Sequence, residues 1–162
     1  MLKYIEGDIF KLIEKTGKSK NKYILHCCNN VNKWGAGFTK ALSKFNKGPE
    51  ESFREFSSKY VTWPDSKKFL LGKINVVPIN DTITVINAIA QNGVKTPGNK
   101  FPIRYVALID AMKAAKAIVK PDFEFHCPKF GAGLAGGDWD FIESLIKEIW
   151  IPHVNNIYIY TI

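Results

Sequence analysis

Two short glycine-rich stretches carry the residue types best suited to chemistry. The first, Trp34-Gly-Ala-Gly-Phe38, follows an apolar run bearing His26-Cys27 near its end. The second, Phe130-Gly-Ala-Gly-Leu-Ala-Gly-Gly-Asp138, follows a run that bears His126-Cys127. Glycine between a strand and a helix lets the backbone approach a ligand and take positive φ without steric cost. The N–H groups of such a loop, with the helix N-terminus behind it, favour phosphate. Two loops of this kind predict a ligand with more than one anionic group, held between them.

The side chains around these loops admit two readings each. His26 and His126 close apolar strands, where a histidine is either a hydrogen-bonded packing residue or an acid–base group. His26 precedes a ligand-type loop, and a nearly neutral pKa would suit proton transfer there. Asp138 and Asp140 flank Trp139 straight after the second loop. Asp138 suits a helix cap, and equally a carboxylate beside a bound phosphate that orients water. Asp8, in Gly7-Asp-Ile-Phe10, is either a turn residue or a carboxylate that recognises a base amino group.

Known nucleotide motifs are excluded. Gly131-Ala-Gly-Leu-Ala-Gly136 matches G-x-G-x-x-G, but the dinucleotide fingerprint also needs an acid at the end of the following strand. Tyr158-Ile-Tyr-Thr-Ile162 contains none. Neither loop ends in Gly-Lys-Ser/Thr, so neither is a Walker loop. No metal-binding spacing occurs, and neither a metal nor a cofactor is expected. Cys27, Cys28 and Cys127 read as reduced thiols at strand ends.

The elements that must position these loops follow from periodicity and punctuation. Lys3–Glu6 is a short strand, and Ile9–Glu14 a brief helical turn. Tyr23–Cys28 is an unbroken apolar run, as expected of a strand covered on both faces. Phe38–Phe45 has helical spacing, Gly48-Pro49 ends it, and Glu50–Tyr60 forms a second helix. A turn is expected at 62–66. Residues 72–79 and 82–90 are strands joined by Asn80-Asp81, hence antiparallel. Residues 91–100 are expected to be a flexible loop over a sheet edge. Pro102 opens a long alanine-rich helix to about Val119. A strand at 123–127, a helix at 138–150 and a strand at 156–162 complete the chain. Strands alternating with helices, with one hairpin inside, predict an α/β fold with a mixed sheet between helical layers. In such folds ligands sit beyond the carboxyl ends of the strands, where both loops lie.

At 162 residues, with 46% apolar and 13% aromatic content, the chain is expected to form a single domain over 1–162 with a proper core. It has no apolar run long enough to span a membrane and no N-terminal h-region, so a cytoplasmic location is expected. The net charge of +8 favours anionic partners. The lysines are dispersed, which suits a solvated surface as well as a phosphorylated ligand.

Taken together, Gly7-Asp-Ile-Phe10, the Asn29/Asn30…Trp34-Gly-Ala-Gly-Phe38 loop and Gly131-Ala-Gly-Leu-Ala-Gly-Gly-Asp-Trp139 make the chain resemble a macrodomain. The resemblance spans essentially the whole chain. It is nearest to the small branch that holds yeast-type ADP-ribose 1''-phosphate phosphatases and the terminal ADP-ribose glycohydrolase. It implies a three-layer α/β/α fold with a central mixed sheet and ADP-ribose as ligand. By that likeness Asp8, flanked by Gly7 and the Ile9 backbone, meets the adenine amino group. Asn29 or Asn30, with Trp34, Gly35, Ala36, Gly37 and Phe38, surrounds the distal ribose. The backbone from Phe130 through Gly131, Ala132 and Gly133 to Leu134 cradles the diphosphate. Ala90-Gln91 and Ala135 stand where the glycohydrolase has its lysine and aspartate, so that covalent mechanism is not expected. The resemblance instead implies a phosphatase acting on ADP-ribose 1''-phosphate, a phosphoric monoester hydrolase with Asp138 and His26 helping water attack. The alternatives are a non-catalytic reader of ADP-ribose or ADP-ribosylated targets, and a de-ADP-ribosylating hydrolase. Expected partners are the small molecule and ADP-ribosylated protein or nucleic acid, with no membrane, and the chain is expected to be a monomer.

Overall fold

The computed structural model of the chain describes residues 1–60 and 66–162. Its frame is a six-stranded sheet built from β1 (Leu2–Glu6), β2 (Asn21–Asn29), β3 (Ile74–Pro78), β4 (Ile83–Gln91), β5 (Phe123–Pro128) and β6 (Asn156–Thr161). The strand order is β1-β6-β5-β2-β4-β3. All pairs are parallel except β3 with β4, the expected hairpin. The carboxyl ends of five strands therefore share one rim. β1, the first strand, pairs in parallel with β6, the last, with Leu2 opposite Ile157 and Glu6 opposite Thr161.

Helices cover both faces, which is why β2 reads as an apolar run. On one face Tyr23 and Leu25 of β2 and Ile86 and Ala88 of β4 pack against α4 (Tyr105–Ile118) and α5 (Trp139–Leu145). A π turn at Ile146–Trp150 extends α5 and brings Trp150 onto Phe125, ring centroids 3.8 Å apart. On the other face Ile24 and Val85 pack against α1 (Ile9–Leu12) and α2 (Phe38–Phe45), and Cys28 and Ile89 against α3 (Gly48–Ser58). The result is the three-layer arrangement with a mixed sheet. No helix among the described residues is long and apolar enough to cross a membrane.

Two expectations need adjustment, and a third lies largely outside the described residues. The turn at 62–66 falls mostly on 61–65, outside the described residues, and Ser66 begins a short 3-10 turn to Leu70. The long helix starts at Tyr105, not at Pro102. Residues 102–104 are held extended by long-range backbone bonds: Asn92 N–H to Pro102 O, Ile103 N–H to Ala135 O and Arg104 N–H to Ala90 O. The 91–100 loop does not lie over a sheet edge, because β3 flanks β4 there. It is tied down by the Asn99 side-chain amide, which donates to Asn92 O and Val94 O, and Gly93 N–H donates to Asn30 Oδ1.

Candidate functional site

The loops that follow β2, β4 and β5 enclose a cavity of about 720 Å³ at the carboxyl rim. Both glycine-rich stretches line it, and an added Cβ on Gly37 would sit 3.4 Å from Leu134 Cδ1, so the two loops face each other. Gly37 has φ of +60°, a conformation open to glycine but not to other residues, and it stands directly before α2. Thr39 stiffens this loop by accepting Gly35 N–H at 3.0 Å and donating to Ala36 O at 2.8 Å. In the second loop Gly137 N–H reaches back to Gly131 O at 2.7 Å.

Backbone donors remain for a ligand on both sides. Among the described residues no acceptor takes the N–H groups of Ala36, Gly37 and Phe38, or those of Gly131, Gly133 and Leu134. A Cβ on Gly133 would meet nothing within 4 Å, and Gly133 lines the cavity. Lys33, Lys95 and Lys129 also line it, one from each loop, and among the described residues no carboxylate does. A wall of amide donors and ammonium groups without a compensating acid favours an anionic guest.

Lys129 is steadied by aromatic rings. Its Nζ lies 6.0 Å from the Tyr4 ring centroid and 5.9 Å from that of Trp139. Trp139 Nε1–H donates to the Tyr4 hydroxyl at 2.8 Å, and that hydroxyl donates to Glu143. The lysine thus extends over β1 and the start of α5, a cation–π arrangement.

His26 lies in the cavity wall, 2% exposed, with its Nε2 2.5 Å from Asn87 Oδ1. The Asn87 amide already donates to Pro49 O at 3.1 Å and Asn75 Oδ1 at 2.9 Å, so its oxygen is the acceptor. The network therefore assigns the proton to His26 Nε2 and leaves Nδ1 unprotonated, with Cys28 Sγ 3.9 Å from it. Burial pushes the His26 pKa down to about 4, with Asn87 opposing only in part. This corrects the expectation of a nearly neutral pKa: burial of a strand-end histidine beside Trp34 and Phe38 disfavours its charged form. Burial likewise pushes the neighbouring Cys27 thiol up to about 12.

The remaining predicted residues divide clearly. Asn29 lines the cavity, but its side chain braces the loop, accepting Val31 N–H and Lys33 N–H and donating to Lys33 O. Trp34 lines it, fixed by donation to Ser43 Oγ at 2.7 Å, while Gly35 and Ala132 do not line it. Asn30 sits behind, bonded to Lys67 O, Asn92 Oδ1 and Gly93 N–H. Gly7, Asp8 and Ile9 follow β1 and are outside the lining. Asp8 caps α1 by accepting Phe10 N–H at 2.9 Å, and the Phe10 ring packs 5.4 Å from Phe38. Asp138 is exposed, is not in the lining, and caps α5 by accepting Asp140 N–H and Phe141 N–H.

Sequence reasoning missed the three lysines and Asn87. A lysine directly before each aromatic–glycine pair (Lys33-Trp34-Gly and Lys129-Phe130-Gly) was the available signal, as was a lone asparagine inside the apolar Val85–Ala90 run.

No protein-family profile matches the chain. It is 25% identical over 162 residues to the ADP-ribose 1''-phosphate phosphatase of Candida albicans, spanning 96% of this chain and 97% of that protein. A macrodomain protein from Streptomyces coelicolor superposes with a TM-score of 0.78 at 27% identity, over 100% of this chain and 99% of that one. A protein of unknown function from Bacteroides thetaiotaomicron superposes with a TM-score of 0.83 at 32% identity, over 99% and 98% of the two chains.

Proposed function

The chain is a macrodomain, and from that premise we propose that it binds ADP-ribose and removes the terminal phosphate from ADP-ribose 1''-phosphate. The observation that carries the reading is the pair of facing glycine loops, with unclaimed N–H groups on both, around a cavity that, among the described residues, three lysines and no carboxylate line. A diphosphate fits the donors of Gly131, Gly133 and Leu134. The distal ribose then points toward Trp34, Gly37 and Phe38. The likeness to a protein named as a phosphatase for that substrate supports the assignment.

In the proposed reaction water attacks the terminal phosphorus, the P–O bond to the ribose C1'' oxygen breaks, and ADP-ribose and inorganic phosphate leave. His26 is the one imidazole in the wall, and in this proposal its unprotonated Nδ1, which has Cys28 Sγ 3.9 Å away, accepts the proton of the attacking water. A phosphate dianion beside it favours the charged imidazolium, so the base strengthens when substrate is in place. Lysine ammonium groups and backbone N–H donors stabilise the charge that builds on phosphoryl oxygens. Asp138 enters as the cap that holds α5 behind the loop, since its carboxylate is engaged by two backbone N–H groups.

A second reading, binding without turnover, draws on the lack of a carboxylate among the described lining residues and on the low pKa of His26. Incubation with ADP-ribose 1''-phosphate, with product analysis and calorimetry on ADP-ribose, separates the two. Phosphate release supports the hydrolase; heat of binding without release supports the reader. No heat with ADP-ribose would remove both.

A further inference from the structure

We propose that Lys33 and Lys95 form a second anion subsite in this cavity, one that selects ligands ending in a phosphate over ligands ending in a hydroxyl. The inference rests on the ADP-ribose reading and specifies how the far end of that ligand is recognised.

Backbone bonds set both lysines at the wall. Lys33 N–H donates to Asn29 Oδ1 at 3.1 Å and Lys33 O accepts Asn29 Nδ2–H at 2.9 Å, so its main chain is clamped from both sides. Lys95 follows Val94, whose carbonyl accepts Asn99 Nδ2–H at 3.1 Å, and Gly93, whose N–H is held by Asn30 at 2.9 Å. The ion pairs among the described residues are Arg54–Glu50, His126–Glu124 and Lys147–Glu143, so neither ammonium is neutralised by an acid. Such unpaired charge beside a concave, largely apolar wall raises the local potential.

Topology separates this pair from the other cationic element. β2 and β4 are hydrogen-bonded neighbours, so the loops bearing Lys33 and Lys95 lie side by side. Lys129 follows β5, on the other side of β2, with its Nζ 6.0 Å from the ring centroid of Tyr4 in β1. The cavity thus has one anion-binding end, made by Lys129 and the amides of Gly131, Gly133 and Leu134, and another made by Lys33 and Lys95. A diphosphate occupies the first. A terminal phosphate, with a charge of about −1.5 to −2, gains from the second, whereas a neutral hydroxyl does not.

Rapid mixing before turnover, followed by intrinsic tryptophan fluorescence, to which Trp34 in the cavity wall contributes, compares ADP-ribose with ADP-ribose 1''-phosphate. The proteins are the unaltered chain, Lys33→Gln, Lys95→Gln and the double variant, each checked by thermal melting. The unaltered protein is expected to bind the phosphorylated ligand at least about tenfold more tightly. In the double variant this preference should fall below about threefold, while affinity for ADP-ribose stays within about threefold. A preference that survives the double substitution overturns the subsite, as does equal weakening of both ligands. If the unaltered protein binds ADP-ribose without preference, only the subsite fails; if it binds neither, the ADP-ribose reading itself fails.

Discussion

His26 Nε2 and Asn87 Oδ1, 2.5 Å apart, belong to two adjacent parallel strands and sit directly opposite each other in the register. Asn87 in turn is fixed by Pro49 O and by Asn75, whose amide donates to Ser52 Oγ at 3.1 Å. The chain of amides runs from α3 through β3 and β4 to the imidazole in the cavity wall, and it decides which ring nitrogen carries the proton.

Replacing Asn87 by Asp places a carboxylate against Nε2. The His26 pKa is then expected to rise by at least about one unit, because an opposite charge stabilises the imidazolium. Titration of the ring proton by NMR measures this. His26→Ala should lower phosphate release at least about a hundredfold while ADP-ribose affinity changes by only a few-fold. Equal loss of rate and binding would make His26 a packing residue.

Acid should destabilise the fold over a defined window. His26 and His126 are both buried, and burial pushes each pKa to about 4. The unfolded chain binds these protons near the ordinary histidine value, so stability is full above about pH 6.5 and falls as pH drops toward 4. Each residue contributes up to about 3 kcal/mol to that loss. His126 donates to Glu124 at 3.0 Å and accepts the Tyr160 hydroxyl at 2.8 Å. Urea unfolding at about pH 7 and about pH 4.5 should show the drop, and His126→Gln should shrink it.

Gly133 and Gly131 should separate binding from folding. A side chain at Gly133 projects into open space in the cavity, so Gly133→Val should melt within a few degrees of the unaltered protein. Its ADP-ribose affinity should fall at least about tenfold, since the methyl groups block approach to the backbone donors. Gly131 has φ of +78°, and a Cβ there would lie 3.0 Å from Ile142 Cδ1. Gly131→Ala should therefore lose about 1–2 kcal/mol of stability. Melting curves and calorimetry on the two variants check both statements.

Lys129 should contribute a salt-sensitive share of affinity. Lys129→Gln is expected to weaken ADP-ribose binding about three- to tenfold at low salt, a difference that narrows at about 0.5 M salt. Trp139→Leu removes one ring under the ammonium and should produce part of that effect. Isothermal titration across a salt series reads it directly, and an unchanged salt dependence would place Lys129 outside the binding interaction.

The parts of the fold legible in the sequence were those fixed by nearby residues. β2 and β5 were readable because both faces are buried, and α2 and α3 because Gly48-Pro49 punctuates them. The Asp138 cap was visible because capping is a local hydrogen bond. The start of α4 was not, since residues 102–104 answer to acceptors and donors at 90, 92 and 135. The cationic lining was equally hidden: Lys33, Lys95 and Lys129 are far apart in the chain, and only strand order gathers them. The depressed His26 pKa depends on Trp34 and Phe38 folding over the ring, a tertiary event with no local sign.

The pairing of β1 with β6 has a consequence during synthesis. β1 leaves the ribosome some 150 residues before β6, its neighbour in the sheet among the described residues, a wait of roughly 10–30 s at ordinary translation speeds. Throughout that interval it is an unmatched edge, and Lys3 and Glu6 are the charges that discourage it from joining another nascent chain. Completion of the sheet at β1 therefore waits on β6, the strand most distant from it in sequence.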